Sequence, residues 1–158
     1  MSMIYADTNF LTRLYLEREE SALASRWVHV HRPCLPVTWL IRVELINALE
    51  QAVFTGYGAE RARVTRDQAA ACQGQFREDL AAGVVIRMVE LPLAELTLNF
   101  EEIALRHTAE HGFRTYDILH VTAALMLGCR TFWSFDRRAC QLAKLEGLKT
   151  PRTGSQRS

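Results

Sequence analysis

Four carboxylates stand in apolar surroundings, where an acidic residue is costly. Asp7 closes the run Met3-Ile4-Tyr5-Ala6, and Asp136 follows Thr131-Phe132-Trp133-Ser134-Phe135. Asp117 opens a stretch that continues Ile118-Leu119-His120-Val121-Thr122-Ala123-Ala124. Glu44 lies within Trp39-Leu40-Ile41-Arg42-Val43-Glu44-Leu45-Ile46. The chain holds only five aspartates, so three of them fall in such places. A lone buried carboxylate is normally paired, neutralised or bound to a metal. Clustered carboxylate oxygens repel one another unless a hard cation joins them, and Mg²⁺ and Mn²⁺ take such ligands. A water on such a metal can be deprotonated and aimed at a phosphorus atom. The chemistry to expect is metal-assisted attack on a phosphoryl group.

Each acidic residue also has a structural reading. Asp7 and Asp136 suit the N-cap of a following helix, and Asp117 suits a first helical turn, where the dipole favours negative charge. Glu44 has no such explanation. It sits mid-helix with Leu40, Ile41 and Ala48 as its i−4, i−3 and i+4 neighbours, so it interrupts an apolar face.

These residues need elements to position them. Residues 2–6 read as a short buried strand, and a helix follows from Phe10 to about Arg18. A second helix, from about Glu19 to His31, is stopped by Pro33 and Pro36. Thr38 is placed to cap a helix running to Phe54 and closed by Gly56 and Gly58. Residues 59–82 form the most solvent-facing helical stretch, with Gly74 marking a break. A strand over Val84–Val89 precedes a helix from Leu93 to His111, with Gly112 as its left-handed cap. Thr115–Leu127 is a buried helix, Thr131–Ser134 a strand, and Arg137–Leu145 a helix ended by Gly147. Leu148 and Lys149 begin a last short strand. Short buried strands alternating with helices predict an α/β fold, a three-layer α/β/α sandwich with a mainly parallel sheet. Ligands of such sheets gather beyond the carboxyl ends of the strands, the position of Asp7 and Asp136.

The 158 residues suit a single domain over 1–150 followed by a polar, disordered tail over 151–158. Net charge is +1, so a strongly basic nucleic-acid binder is not indicated; Arg61, Arg63 and Arg66 share no helical face. Cys34, Cys72, Cys129 and Cys140 form no paired motif and fit free thiols in a reducing cytoplasm. The N-terminus does not read as a signal peptide, and no apolar run reaches a membrane-spanning length of about 20 residues. Trp27, Trp39 and Trp133 all sit among apolar residues and are expected in the core.

Four blocks in order carry a resemblance: Tyr5-Ala6-Asp7-Thr8-Asn9, Val37-Thr38-Trp39-Leu40-Ile41-Arg42-Val43-Glu44-Leu45, Tyr116-Asp117-Ile118-Leu119-His120-Val121-Thr122-Ala123-Ala124 and Phe132-Trp133-Ser134-Phe135-Asp136. Together they resemble a PIN domain across essentially the whole chain, most closely the VapC-like toxins of prokaryotic toxin–antitoxin pairs. The resemblance implies a metal-dependent endoribonuclease whose acidic pocket binds Mg²⁺ or Mn²⁺. By position, Asp7, Glu44, Asp117 and Asp136 match the acidic quartet. Asp7 and Asp117 would be the most direct ligands, with Glu44 and Asp136 completing the pocket. Thr8, Asn9 and Ser134 would orient the carboxylates around the metal. It also implies an RNA substrate, a homodimer and an inhibitory antitoxin.

Two other readings compete. A PIN-like module could have kept its fold and act only through a protein or RNA partner. His107-Thr108-Ala109-Glu110-His111 matches a zinc-peptidase motif, so His107, Glu110 and His111 could hold zinc. Against this, the motif lies in a last helical turn, where histidine is favoured by the dipole.

Overall fold

The computed structural model describes residues 3–16, 21–56 and 64–151. The expectations for Arg18, Glu19, Gly58, Arg61, Arg63 and the tail beyond Pro151 lie outside these residues. Four short strands alternate with seven helices among them: β1 (Ile4–Ala6), α1 (Thr8–Tyr15), α2 (Ser21–His31), β2 (Leu35–Val37), α3 (Trp39–Gly56), α4 (Arg66–Ala82), β3 (Ile86–Met88), α5 (Leu93–His111), α6 (Thr115–Met126), β4 (Thr131–Trp133) and α7 (Arg137–Leu145). Both strand pairs are parallel, as the α/β reading expects. The chain divides into two compact units, a terminal one, Met1–Asp7 with Glu90–Ser158, and a central one, Thr8–Val89.

In the terminal unit the first strand pairs with the last. Ile4, Tyr5 and Ala6 of β1 stand opposite Thr131, Phe132 and Trp133 of β4. Lys149 adds a parallel bridge to Thr131, where the final strand was expected. Helix α6 is apolar on nearly every side, so only an interior position satisfies it. Ile118, Val121, Ala123 and Ala124 are all buried, and α5 and α7 both pack on this helix. Helix α5 ends where expected, with Gly112 at φ 66° donating its N–H to the Thr108 carbonyl.

In the central unit α1 packs on α2 and α3, and α3 packs on α4. Leu16, Leu49, Ala52, Val53 and Ala69 form a buried cluster there, joined by Val64 and Cys72. Helix α4 starts with a reciprocal cap: the Gln68 N–H donates to Thr65 Oγ1 at 3.1 Å, and the Thr65 N–H to Gln68 Oε1 at 2.9 Å. The Tyr15 hydroxyl donates to Asp79 Oδ2 at 2.7 Å. Burial first, then that bond and the Asp79 charge, hold the phenol well above its ordinary range.

Three expectations need correction. Residues 35–37 form a strand, although Pro36 at their centre reads as a breaker. The reason lies in the ladder: Leu35 donates its N–H to Val85, and the Val37 carbonyl accepts from Val89. Alternate residues face the partner strand, so the position that proline occupies owes no donor to β3. Gly74 marks no break, because α4 is continuous from Arg66 to Ala82. A single glycine weakens a helix by about 1 kcal/mol, too little to split one capped at both ends. Trp39 is not a core residue; it is 47% exposed on α3, whereas Trp133 is buried.

The two glycines predict opposite outcomes for one substitution. A Cβ added at Gly74 meets nothing within 4 Å, so Gly74→Ala should raise stability by about 0.5–1 kcal/mol. Gly112 has space as well, but its left-handed backbone does not suit alanine. Gly112→Ala should therefore cost about 1–2 kcal/mol. Urea unfolding of the two variants beside the parent chain measures both signs.

Candidate active site

The β1–β4 ladder places the first aspartate. The Asp7 N–H donates to the Trp133 carbonyl at 3.0 Å, continuing the pairing one step past the strand. Asp7 therefore stands beside Ser134, at the spacing of neighbouring strands, about 4.8 Å. Both are buried, Asp7 at 4% exposure. The Ser134 hydroxyl oxygen accepts the Asp136 N–H at 2.9 Å, a hydroxyl turn that reverses the chain out of β4. Asp136 then caps α7, its Oδ1 accepting the Arg138 N–H at 2.8 Å. Its capping role is thus realised, and its carboxylate is only half-buried.

Cys140, one turn into α7, registers the charge at this end. Burial raises its thiol from the ordinary 9.0 to about 11, the Asp7 and Asp136 charges push the same way, and Lys144 opposes them. Two carboxylates far apart in sequence therefore act on one sulfur.

Asp117 arrives from α6. Arg114, the residue before the helix, has no acceptor in its side chain, so only the return half of a capping box forms: Asp117 Oδ2 accepts the Arg114 N–H at 3.1 Å. Among the described residues this is the one hydrogen bond its carboxylate accepts, at 7% exposure. Four residues, 127–130, return the chain from α6 to β4, so the helix runs antiparallel to the strands. The start of α6 and the ends of β1 and β4 thus lie at the same end of the terminal unit. Asp7, Asp117, Asp136 and Ser134 all belong to that end.

Glu44, Thr8 and Asn9 belong to the central unit. Glu44 is half-buried beside Leu40 and Ile41, and its Oε2 accepts the Thr8 hydroxyl at 2.7 Å. This gives an interior glutamate a partner that a sequence cannot reveal, 36 positions away. Thr8 is also the next residue after Asp7 in the chain. The Asn9 carbonyl accepts Arg13 Nη1 at 3.1 Å.

Among the described residues, no three His, Cys, Asp or Glu side chains are grouped closely enough to hold an ion directly. Asp117, Asp136 and Glu44 are turned toward N–H and O–H partners instead. Oxygen-only donors suit a hard cation that keeps several of its own waters, which is how Mg²⁺ usually binds.

Sequence reasoning missed a buried pair beneath this end. Tyr5, fully buried and two residues before Asp7, has its hydroxyl 2.9 Å from Nδ1 of His120, three residues after Asp117. The shared spacing was the available signal: strand residues two apart, and helix residues three apart, lie on one face.

The histidines of the zinc motif are engaged elsewhere. His107 Nε2 lies 2.6 Å from Glu146 Oε1, and Arg106 grips the same carboxylate at 3.0 and 3.2 Å. His111 is 3.9 Å from Glu110. Arg106 and Glu146 also line a cleft of about 570 Å³, together with Glu95, Glu102, Thr122 and Met126. It opens at the far end of α6 from Asp117.

Comparison with known proteins agrees with this geometry. The PIN domain model matches residues 4–145, spanning both units, and the chain belongs to that family. Solved structures share its fold. The Sarcin-Ricin loop cleaving toxin VapC20 of Mycobacterium tuberculosis is 16% identical, with a TM-score of 0.63 over 87% of this chain and 93% of its own. A toxin–antitoxin complex from Klebsiella pneumoniae is 14% identical, with a TM-score of 0.58 over 96% and 98%. FitAcB from Neisseria gonorrhoeae is 13% identical, with a TM-score of 0.59 over 95% and 97%. No match was found among curated proteins.

The thiols supply a test of the packing at this end. Burial also holds Cys129 at about 11, whereas Cys34 is exposed. Raised values keep both thiols neutral at pH 8, and the thiolate is the reactive form. Cys34 should be alkylated first, with Cys129 and Cys140 reacting only as pH approaches 11 or on unfolding. The unfolded chain ionises these thiols near 9, so stability should fall as pH rises from 9 toward 11. Mass spectrometry after timed iodoacetamide treatment, across that range, reads the order.

Proposed function

We propose that this chain is a Mg²⁺- or Mn²⁺-dependent endoribonuclease, the toxin of a toxin–antitoxin pair. The observation that carries the reading is the state of Asp117, a buried carboxylate with a single N–H partner at the same end as Asp7 and Asp136. Family membership supports it, as do the fold relatives described as toxins or toxin–antitoxin complexes.

Asp7 and Asp117 are the direct ligands in this reading, with Glu44 and Asp136 completing the site. When bound, the cation supplies Lewis-acid activation of water and of a phosphoryl oxygen. The chain's own residues set the geometry. Thr8 orients the Glu44 carboxylate, and the Ser134 hydroxyl fixes the turn that presents Asp136. Capping of α7 holds one oxygen of Asp136 and leaves the other for solvent or substrate.

A protein partner and a homodimer form part of the same reading. Among the described residues no helix is long and apolar enough to cross a membrane. Four free thiols fit the cytoplasm. Helix α3 exposes three large apolar side chains, Trp39, Val43 at 55% and Phe54 at 72%. An apolar stripe of this kind marks a surface that another chain covers. Phe54→Arg should weaken self-association or antitoxin capture, read by light scattering and by co-purification. Wild-type association left unchanged in that variant would remove α3 from the interface.

The metal reading is tested on stability and activity together. Asp117→Asn keeps an oxygen for the Arg114 N–H, so the cap survives while the charge is lost. Its metal-free melting temperature should equal or exceed that of the parent, since relieving repulsion among carboxylates stabilises. Added Mg²⁺ should raise the melt of the parent chain and hardly that of the variant, which should cleave no RNA. A role confined to the helix terminus predicts instead a loss of up to about 1 kcal/mol, from the charge removed at the positive end of the dipole, with no response to Mg²⁺ in either protein.

A further inference from the structure

The Tyr5–His120 pair lies in the core, where an apolar pair would be about as stable. Tyr5 stacks flat on Phe132, with ring centroids 5.7 Å apart and planes 7° apart, a contact that phenylalanine would make equally well. Its hydroxyl meets His120 Nδ1 at 2.9 Å, the rings edge-on at 5.9 Å. Burying a phenol and an imidazole costs free energy unless they bond to each other, and even then an apolar pair of similar shape is about as stable.

What the pair provides is a fixed distance. β1 carries Tyr5 and, two residues on, Asp7; α6 carries His120 and, one turn back toward its start, Asp117. Strand residues two apart are separated by about 6.6 Å, and three helical residues rise about 4.5 Å. From the bridge, both elements run toward the same end of the unit. A directional bond of defined length, one layer below the two carboxylates, sets the depth of α6 against β1. Apolar contact alone would let the helix slide.

We infer that Tyr5 and His120 are a positioning pair that presets the separation of Asp7 and Asp117 for a divalent cation. This inference rests on the metal-site reading above. Neither residue touches the cation; they act through the elements that carry its ligands, as outer partners commonly do around metals.

The experiment compares wild type with Tyr5→Phe, His120→Asn, His120→Leu and the double variant Tyr5→Phe/His120→Leu. Two quantities are read by thermal melts over a Mg²⁺ series: the metal-free melting temperature and the Mg²⁺ concentration giving half the maximal shift. Tyr5→Phe and His120→Leu should each raise that concentration about tenfold or more, the usual scale for losing an outer partner of a metal ligand. His120→Asn, whose amide oxygen occupies nearly the place of Nδ1, should stay within about threefold of wild type. The double variant removes both halves of the Tyr5–His120 bond together, so its metal-free melt should recover relative to the single variants. Its Mg²⁺ requirement should stay raised.

A merely structural pair predicts the opposite for that variant, a Mg²⁺ requirement that returns along with the melt. Wild-type Mg²⁺ response with unchanged half-shift concentrations in all variants overturns the positioning role and leaves the metal site standing. No Mg²⁺ response in wild type overturns both. Should either single variant fail to fold, His120→Asn against the double variant still decides the question.

Discussion

The terminal unit is organised around Asp117, a carboxylate held away from water whose one hydrogen bond among the described residues comes from the Arg114 N–H. Removing an ion from water costs several kcal/mol even after the protein relaxes. A hydrogen bond to a charged group returns about 1.5–3 kcal/mol. One N–H on Asp117 therefore does not offset its burial. The rest of the unit accepts this cost: the ladder that seats Asp7 beside Ser134, the short return from α6 to β4, and the turn that brings Asp136 back. A core chosen for stability alone would place apolar residues at those positions. In the proposed reading a hard cation, suited to oxygen-only ligands, offsets that cost.

Much of this was legible in the sequence, for identifiable reasons. Helices α5, α6 and α7 were read nearly to the residue because each begins or ends at a strong local signal, such as Gly112 after His111 or Asp136 before Arg137. The aspartates were visible because a charge after an apolar run violates a local rule without local compensation. Other features depend on partners that no window of sequence contains. Strand β2 was hidden because Pro36 is a poor strand residue everywhere except where its missing donor faces away from the partner strand. The Thr8 hydroxyl on Glu44 spans 36 positions, and the Tyr5–His120 bond spans 115. Trp39 was misplaced because an apolar neighbourhood in sequence does not say which side of a helix faces inward. Gly74 was over-read because a glycine's cost is small beside the caps at both ends of α4.

The two polar clusters of the terminal unit use opposite solutions to the same burial problem. At one end of α6, Asp117 is left with a single donor. At the other, Glu146 is nearly buried and held by Nε and Nη2 of Arg106 and by His107. A carboxylate with three such contacts has most of its lone pairs engaged. The chain thus satisfies one interior acid with a guanidinium, whereas among the described residues Asp117 is paired with none.

The pairing of β1 with β4 also bears on when this molecule becomes whole. The first strand finds its hydrogen-bond partner more than 120 residues later in the chain. Such long-range pairing is slow to form and has no local substitute. During synthesis Asp7 is made more than 120 residues before β4 and Asp136, and it stands without them until they follow. A chain released early, or still being made, carries the beginning of the site and not its end. For a protein whose proposed activity is directed at RNA, topology itself postpones the hazard until β4 has been made.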